Sequence, residues 1–435
     1  MLLLLNCLQK LNFFLYEVGI IFTAALCFLP FIVKHQKTLN YIWVVLCILL
    51  IVLNILLTYT YFYCSGWDVN IYCAAVKVFN NNGNPYLIHE LQKLSSGALP
   101  FVYPPISIYF FKILCYLICI FDSKASYYFL WCLFLTGAFF IIRNNDKNFK
   151  PLLLILLFTT GFLATYWNYL TGNIGLLELF LLSICFSFAI KEKYYLAMFP
   201  LAFLALLKIT PLALVSFFIF SGISKYSKLK VVSFGLILFI FFSSLSYVLF
   251  PDITHSYYLS LMGKIENQNS PIYENGGIGN PSLFFLVKNI AETLFSNNFT
   301  IFLIIYILLI GFVFTLFLNY TLKKNRNFLE ILSTGILFFL IVSPRLKPYS
   351  FTFALIPVYF LIKDFDVRYK FLSIFIVSVI PLLMLRLHIF ASIAGNVPAF
   401  PKALLKYNQS ICLLCFFILA LTYDSFRNKL VKYYV

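Results

Sequence analysis

The chain has 435 residues, of which 62% are hydrophobic and 11% are charged, and its formal net charge is +17. Apolar runs of about 18–22 residues recur along the whole length, which is typical of membrane-spanning helices. This composition excludes a soluble globular protein. The positive charge does not indicate nucleic acid as a partner, because most basic residues stand in short turns between apolar runs, as the positive-inside rule describes.

The sequence therefore predicts an all-α polytopic membrane protein with about 12–13 transmembrane helices, forming a single membrane domain over residues 1–435. The first apolar run is too long for a signal-peptide core and has no basic region before it, so we expect it to be retained. The predicted helical segments outnumber the crossings, because 194–207 and 209–222 are halves of one broken helix. They lie near residues 12–33, 40–62, 105–121, 126–142, 151–170, 174–190, 194–207, 209–222, 229–250, 299–320, 328–343, 349–362, 369–387 and 408–424.

Clusters of basic residues assign the two sides of the membrane. The outward loops are then the longer ones, 62–104 and 251–298, and Asp68 faces away from the cytoplasm. With Asp68 outside and Lys191 inside, the four segments between residues 105 and 190 should cross the membrane an odd number of times. We therefore expect one of 126–142 and 151–170 to be short, re-entrant or merged. The clusters are Lys34/Lys37, Lys191/Lys193, Lys225/Lys228/Lys230, Lys323/Lys324/Arg326, Lys363/Arg368/Lys370 and Arg427/Lys429/Lys432.

The first outward loop carries Gly66-Trp67-Asp68, directly after the helix predicted at 40–62. Asp68 is one of only 15 acidic residues, and a carboxylate at the membrane boundary is a candidate for function; the alternative is a loop residue that caps a helix. The stretch Val69–Asn80 has apolar residues at helical spacing but is too short and polar to span. It predicts a juxtamembrane helix lying along the interface, closed by Gly83.

Two further local signals concern the helix 194–222 and the second outward loop. Pro211 removes a helical hydrogen bond next to Lys208, which predicts two half-helices that meet near the outer face and line a cavity. Asn280 stands before Pro281 and is predicted to cap a short amphipathic helix over about 281–296, which would cover the site.

The eleven cysteines are scattered, and the pairs Cys115/Cys119 and Cys412/Cys415 have no nearby histidine. We interpret them as small hydrophobic residues. No Asp-x-Asp pair stands in the outward loops, and no P-loop or nucleotide-binding fold is evident. We therefore assign no cofactor and no metal ligands, and leave dependence on a divalent metal open.

The order of short motifs resembles glycosyltransferase family 87, in the GT-C superfamily of polyprenol-phosphate-sugar-dependent transferases. Asp68 is followed by Y-x-A-A at 72–75, G-N-P-Y at 83–86 and Y-P-P at 103–105. Three later segments, T-G-N-I-G-L-L at 171–177, L-A-L-L-K-I-T-P-L at 204–212 and G-N-P-S-L at 279–283, resemble the N-G-Q-x-N-x-L-L, A-x-x-K-x-T-P-L and N-Q-S-L segments of that family. The matches occur in order over about residues 40–362.

The chain departs from the family pattern at two places. Family members that act in lipoglycan mannosylation carry a histidine soon after an S-P motif. Here the corresponding stretch, S-P-R-L-K-P-Y at 343–349, contains none. Gly172-Asn173 also stands where the family has G-Q. These departures leave the acceptor and the donor sugar open.

The resemblance implies a transfer in which a base deprotonates the acceptor hydroxyl and cations stabilise the departing phosphate. Asp68 fits the base. Lys208, Arg345 and Lys347 fit the phosphate, because they lie at outward helix ends; the alternatives are a snorkelling lysine and a solvated loop. The residues expected to bind substrate are Tyr72, Asn84, Tyr86, Tyr103, Asn173 and Asn280. An aromatic belt at the membrane interface would also account for any single one of the tyrosines.

The sequence and the resemblance together favour a GT-C-type membrane enzyme of the bacterial cytoplasmic membrane. It would move one sugar, mannose by resemblance, from a polyprenyl-phosphate donor to a lipid- or glycan-bound acceptor on the outer face, with inversion. The alternatives are an envelope polysaccharide polymerase or ligase, and a lipid-linked oligosaccharide flippase or transporter. A transporter should show paired inverted halves with broken helices in corresponding places, and only one clear break is present.

Overall fold

The computed structural model describes residues 18–33, 35–60, 66–95, 100–119, 123–208, 210–220, 225–262, 279–295, 299–322, 327–394 and 399–434. Within these ranges the chain is helical and has no β-strand, which confirms the predicted all-α class. The helix predicted over 69–80, the amphipathic helix and the predicted apolar helices are all present, except where a prediction extends outside these ranges, as at residues 12–17. The position of the 69–80 helix along the membrane interface stays a prediction.

The helices are labelled in chain order. The first eleven are α1 Val18–Ile32, α2 Gln36–Thr60, α3 Trp67–Asn80, α4 Ile88–Leu94, α5 Ser107–Cys119, α6 Ser123–Asn145, α7 Pro151–Thr160, α8 Ala164–Thr171, α9 Gly175–Ile190, α10 Tyr194–Leu207 and α11 Lys225–Leu249. The others are α12 Pro251–Leu261, α13 Leu283–Phe295, α14 Phe299–Thr321, α15 Phe328–Val342, α16 Thr352–Ile362, α17 Val367–Ile374, α18 Ile380–Ala394 and α19 Ala399–Tyr434.

Length and hydropathy mark the chain as a multi-pass membrane protein. Among the described residues, seven helices are long and apolar enough to span a bilayer, and seven more are apolar but have 10–17 residues. The total of 12–13 crossings stays a prediction. The seven long segments are Lys37–Asn54, Tyr127–Asn145, Pro151–Thr171, Tyr226–Leu249, Phe299–Thr321, Val367–Leu387 and Leu405–Tyr423.

The helices form two compact units. The terminal unit contains residues 1–61, 150–166 and 275–435, and the central unit contains residues 62–149 and 167–274. Asp68 and Lys208 lie in the central unit, whereas Asn280, Arg345 and Lys347 lie in the terminal unit. The prediction of a single membrane domain over residues 1–435 stays a prediction.

An antiparallel hairpin of α9 and α10 forms the centre of the central unit. The turn between them places Glu192 at a φ of 57°. Helix α6 packs against α9, with Phe180 close to Gly137, and α11 packs against α10. The hairpin therefore fixes the start of α9 and the end of α10 at one end of this unit.

The predicted break after α10 is confirmed, but its second half differs from the prediction. Helix α10 ends at Leu207, Lys208 is extended with φ −143° and ψ 129°, and Thr210–Phe220 forms a 3-10 helix instead of an α-helix. A 3-10 helix rises about 2.0 Å per residue, so these 11 residues reach about 22 Å, a third more than an α-helix of equal length.

Which of the segments between residues 105 and 190 does not cross the membrane stays a prediction. Tyr127–Asn145 and Pro151–Thr171 both reach the length of a span, the second with a backbone interruption at Phe162, φ 50°. Within the described residues, the shorter apolar segments of this range are Ser107–Ile118 and Gly175–Ile190. Tyr127 Oη donates to the Tyr169 carbonyl at 3.3 Å, so α6 starts at the end of the central unit where α8 finishes.

In the terminal unit, the amphipathic helix predicted at 281–296 is confirmed as α13. Leu283, Leu286, Val287 and Ala291 form its buried face. The cap differs from the prediction: α13 begins at Leu283, and the side-chain oxygen of Asn280 accepts from Leu346 N at 2.9 Å. Asn280 thus stabilises the 343–347 loop instead of the helix start.

Candidate active site

Two glycines bring the Asp68 turn against the Asn173 loop. Gly66 precedes α3 at a φ of 97°, Gly172 has a φ of 71°, and Gly66 N donates to the Leu170 carbonyl at 2.9 Å. A Cβ atom on Gly172 would lie 2.6 Å from Val69 Cγ2 and 3.2 Å from Gly66 Cα. Only glycine fits this backbone conformation and this separation without strain.

Asp68 lies in the first turn of α3 and is joined to Lys208 through the side chain of Asn173. Asn173 Nδ2 donates to Asp68 Oδ2 at 2.9 Å, and Lys208 Nζ donates to Asn173 Oδ1 at 3.3 Å. A carboxylate can only accept and an ammonium can only donate, so the two charged groups fix the orientation of the amide. The structure thus brings together three residues that the sequence assigned to the site.

Tyr72 and Tyr103 complete the same cluster. Their hydroxyls are 2.8 Å apart, and Asn173 Nδ2 lies 3.1 Å from Tyr72 Oη and 3.4 Å from Tyr103 Oη. Burial, and secondarily the Asp68 carboxylate, raise the pKa of the Tyr103 hydroxyl. Tyr103 therefore stays protonated at neutral pH and keeps a hydrogen to donate beside the carboxylate.

Lys208 forms an ion pair that sequence reasoning missed. Lys208 Nζ lies 2.7 Å from Glu178 Oε1; the Lys208 side chain is 20% exposed and that of Glu178 is 1% exposed. Glu178 was overlooked because it stands inside the apolar run G-L-L-E-L-F at the start of α9. The hairpin predicts this ion pair. Glu178 and Lys208 lie equally far before and after Lys193 in the turn, so an antiparallel arrangement of the two helices places them side by side.

Asn84 and Tyr86 support the loop around Tyr103. Tyr86 is fully buried, and its hydroxyl donates to the Tyr103 carbonyl at 2.5 Å. Asn84 Nδ2 donates to Ser256 Oγ at 2.8 Å, and Asn84 Oδ1 accepts from Tyr86 N at 3.0 Å. Both residues thus belong to the same neighbourhood as Asp68, with side-chain atoms engaged in holding the loop. Their binding of substrate stays a prediction.

A disulfide between Cys73 and Cys115 joins α3 to α5. This corrects the interpretation of all cysteines as small hydrophobic residues. Cys73 directly follows Tyr72, so the bond fixes the helix that carries both Asp68 and Tyr72. The pair lies 42 residues apart in sequence, and no spacing rule predicts it.

The remaining expected site residues share one loop of the terminal unit. Arg345 is exposed, and its carbonyl accepts from Ser343 Oγ at 3.0 Å. Lys347 is partly buried and directly precedes the 3-10 helix Pro348–Phe351. Arg345 and Lys347 flank Leu346. The backbone N–H of Leu346 donates a hydrogen bond to Asn280 Oδ1. The role of these cations at a phosphate stays a prediction.

No group of three or more His, Cys, Asp or Glu side chains within the described ranges is placed to hold a metal ion. In the central unit, the described cluster instead combines two carboxylates, one ammonium, one amide and two hydroxyls. This combination provides a base and a cation linked through one neutral side chain. Acid–base chemistry and stabilisation of an anion are what such groups can perform.

Comparison with known proteins agrees with this chemistry. The model of glycosyltransferase family 87 matches residues 101–344, which is more than half of the chain. The matched range contains Tyr103, Asn173, Glu178 and Lys208, and it begins after Asp68. No curated protein matches the chain significantly.

Proposed function

Because the chain belongs to glycosyltransferase family 87 and is a membrane glycosyltransferase, we propose that its donor is a polyprenyl-phosphate sugar. The enzyme moves one sugar, mannose by resemblance, to a lipid- or glycan-bound acceptor, with inversion at the anomeric carbon. The reaction takes place on the outer face of a bacterial cytoplasmic membrane.

The observation that carries the proposal is the contact between Asp68 and Asn173. The amide donates to one carboxylate oxygen and so fixes the carboxylate plane without adding a charge of its own. A carboxylate held in this way can accept the acceptor's proton as the new glycosidic bond forms. Asp68 is therefore the general base of the proposed reaction.

Lys208 supports the second half of the chemistry. Its ammonium is linked to Asp68 through Asn173, so a donor phosphate at Lys208 would place its sugar close to the base. Negative charge grows on the phosphate as the donor bond breaks, and a fixed cation stabilises that charge. Arg345 and Lys347, in the terminal unit, keep the role at the donor phosphate that the sequence and the resemblance imply.

The Cys73–Cys115 disulfide supports the outward location. Disulfides persist in oxidising compartments such as the bacterial periplasm and are rare in the reducing cytosol. Because this bond joins the helix of Asp68 to α5, the part of the central unit that holds the site fits the outer side.

The test is transfer of labelled mannose from polyprenyl-phosphate-mannose by purified wild-type and Asp68→Asn proteins. Loss of a positioned base should reduce kcat by about 10²–10⁴-fold. Asp252→Asn is the matched control, because Asp252 is exposed in the first turn of α12, and it should retain activity. Near-normal transfer by Asp68→Asn would exclude Asp68 as the base. If the wild-type protein used only a nucleotide-linked sugar, the proposed donor would be wrong.

A further inference from the structure

We infer that Glu178 is a positioning residue of the transferase site, which holds Lys208 beside Asn173 and takes up part of its charge. The inference rests on the proposed function, because it concerns how Asp68 works as the base. Glu178 acts through Lys208, and neither the resemblance nor the motif pattern gave it a role.

The geometry places Glu178 at the far end of a continuous chain of contacts. Glu178 Oε1 lies 2.7 Å from Lys208 Nζ, which lies 3.3 Å from Asn173 Oδ1. Asn173 Nδ2 in turn lies 2.9 Å from Asp68 Oδ2. A displacement of the ammonium therefore moves the amide that orients the base. Displacements of about 1 Å at such supporting groups can cost about 10²-fold in rate.

Burial makes this ion pair sensitive to the loss of either partner. The Glu178 side chain is 1% exposed, and removing one member of a buried pair leaves the other without its counter-charge. At a given distance, electrostatic interactions are stronger in such a low-dielectric environment than in water. Lys208 without Glu178 would act more strongly on the nearest remaining carboxylate of the cluster, which is Asp68.

The titratable groups of the cluster are Asp68, Glu178, Lys208, Tyr72 and Tyr103. With Glu178 present, the positive charge of Lys208 is shared between two carboxylates. With Glu178 neutral, the whole charge favours the ionised form of Asp68 and makes it a weaker base. Glu178→Gln should therefore lower kcat by up to about 10²-fold and move the acid limb of the pH–kcat profile to lower pH.

The experiment measures kcat, donor KM and the pH profile of Glu178→Gln with polyprenyl-phosphate-mannose. The donor KM should change less than kcat, because Lys208 keeps its charge and can still bind the phosphate. Glu192→Gln is the matched control: it makes the same chemical change at an exposed residue of the turn in the same hairpin. Its kcat and its acid limb should equal those of the wild type.

A double variant separates positioning from folding. Glu178→Met with Lys208→Met replaces the pair by apolar side chains of similar length, which commonly restores stability. If Glu178 acts only through Lys208, the double variant should be as active as Lys208→Met alone. This comparison also serves if Glu178→Gln fails to fold.

The outcomes distinguish this inference from the proposed function. An inactive Asp68→Asn with a Glu178→Gln of wild-type kcat and an unmoved acid limb would overturn only the role of Glu178. A Glu178→Gln with lower kcat but an unmoved limb would assign Glu178 to stability alone and also reject the inference. An active Asp68→Asn would reject the proposed base itself.

Discussion

Asn173 Nδ2 donates to Asp68 Oδ2 at 2.9 Å, across 105 residues of sequence. The same amide accepts from Lys208, so one neutral side chain holds the Asp68 carboxylate and the Lys208 ammonium in a fixed relation. Asn173 is 1% exposed, which removes water as a competing partner for its amide. The orientation and the ionisation of the Asp68 carboxylate therefore depend on the side chain at position 173.

Asn173→Asp should impair the base without removing it. The substitution replaces a donor by a carboxylate facing Asp68, and a second negative charge disfavours ionisation of both groups. The acid limb of the pH–kcat profile should therefore move to higher pH by about one unit or more, opposite to the shift expected for Glu178→Gln. Purified protein and polyprenyl-phosphate-mannose over a pH series provide the measurement.

The matched control for this variant is Asn81→Asp. Asn81 is exposed at the other end of α3, so the new charge is screened by water. An unchanged acid limb in Asn173→Asp, with kcat close to that of the control, would contradict the orienting role of Asn173.

Gly172→Ala should destabilise the protein and reduce transfer. Gly172 has a φ of 71°, which costs about 1–2 kcal/mol for an L residue, and a Cβ atom there would lie 2.6 Å from Val69 Cγ2. Thermal unfolding in detergent and kcat are the measurements. A second substitution, Val69→Ala, should recover part of the loss, because it removes the atom that the new methyl group meets.

Gly311→Ala is the control for the glycine experiment. No atom lies within 4 Å of a Cβ placed on Gly311, which stands inside α14. The Gly311→Ala protein should be as stable as the wild type. An equal loss in both variants would show that the backbone conformation at Gly172 has no special importance for the site.

Much of the site follows from local sequence patterns, and the parts that do not have a common physical cause. Helix α3, the break at Lys208 and the amphipathic helix α13 each have periodicity or proline signals within one segment. Glu178 lies within an apolar run, and only its partner Lys208, directly after the next helix, explains a buried carboxylate there. The Cys73–Cys115 bond likewise depends on how two helices pack, which one-dimensional spacing does not encode.

Backbone detail was also beyond the sequence. Thr210–Phe220 has the composition of an apolar helix, and composition does not distinguish 3-10 from α geometry. Ser107–Ile118 and Gly175–Ile190 also have the composition of crossing helices, but within the described residues each is shorter than the seven long segments. Hydropathy alone cannot separate these cases.

The orientation of the site can be measured by labelling. A cysteine in place of Lys93, exposed in α4, should react with an impermeant maleimide on intact cells, whereas one in place of Lys228 near the start of α11 should not. Cys132 and Cys415, the exposed free thiols of the described part of the chain, are replaced first, and this parent protein sets the background. The reverse labelling pattern would put Asp68 in the cytoplasm and contradict the lipid-linked donor.

The Cys73–Cys115 disulfide provides an independent test of the same orientation. Cys73 and Cys115 should resist alkylation in protein extracted without reductant and become reactive after reduction. Two thiols that are free before reduction would indicate a reducing environment around α3.

The final prediction concerns Arg345 and Lys347, in the stretch where the chain departs from the family. If these cations replace the missing histidine at the donor phosphate, charge matters more than shape. Lys347→Arg should retain substantial activity, and Lys347→Met should lose most of it. The double variant Arg345→Gln with Lys347→Gln should raise donor KM and lower kcat, because negative charge on the phosphate grows as the glycosidic bond breaks. Arg143→Gln, at an exposed arginine near the end of α6, is the control and should leave both constants unchanged. Wild-type kinetics in the double variant would assign these two cations to a solvated loop and leave the phosphate to Lys208.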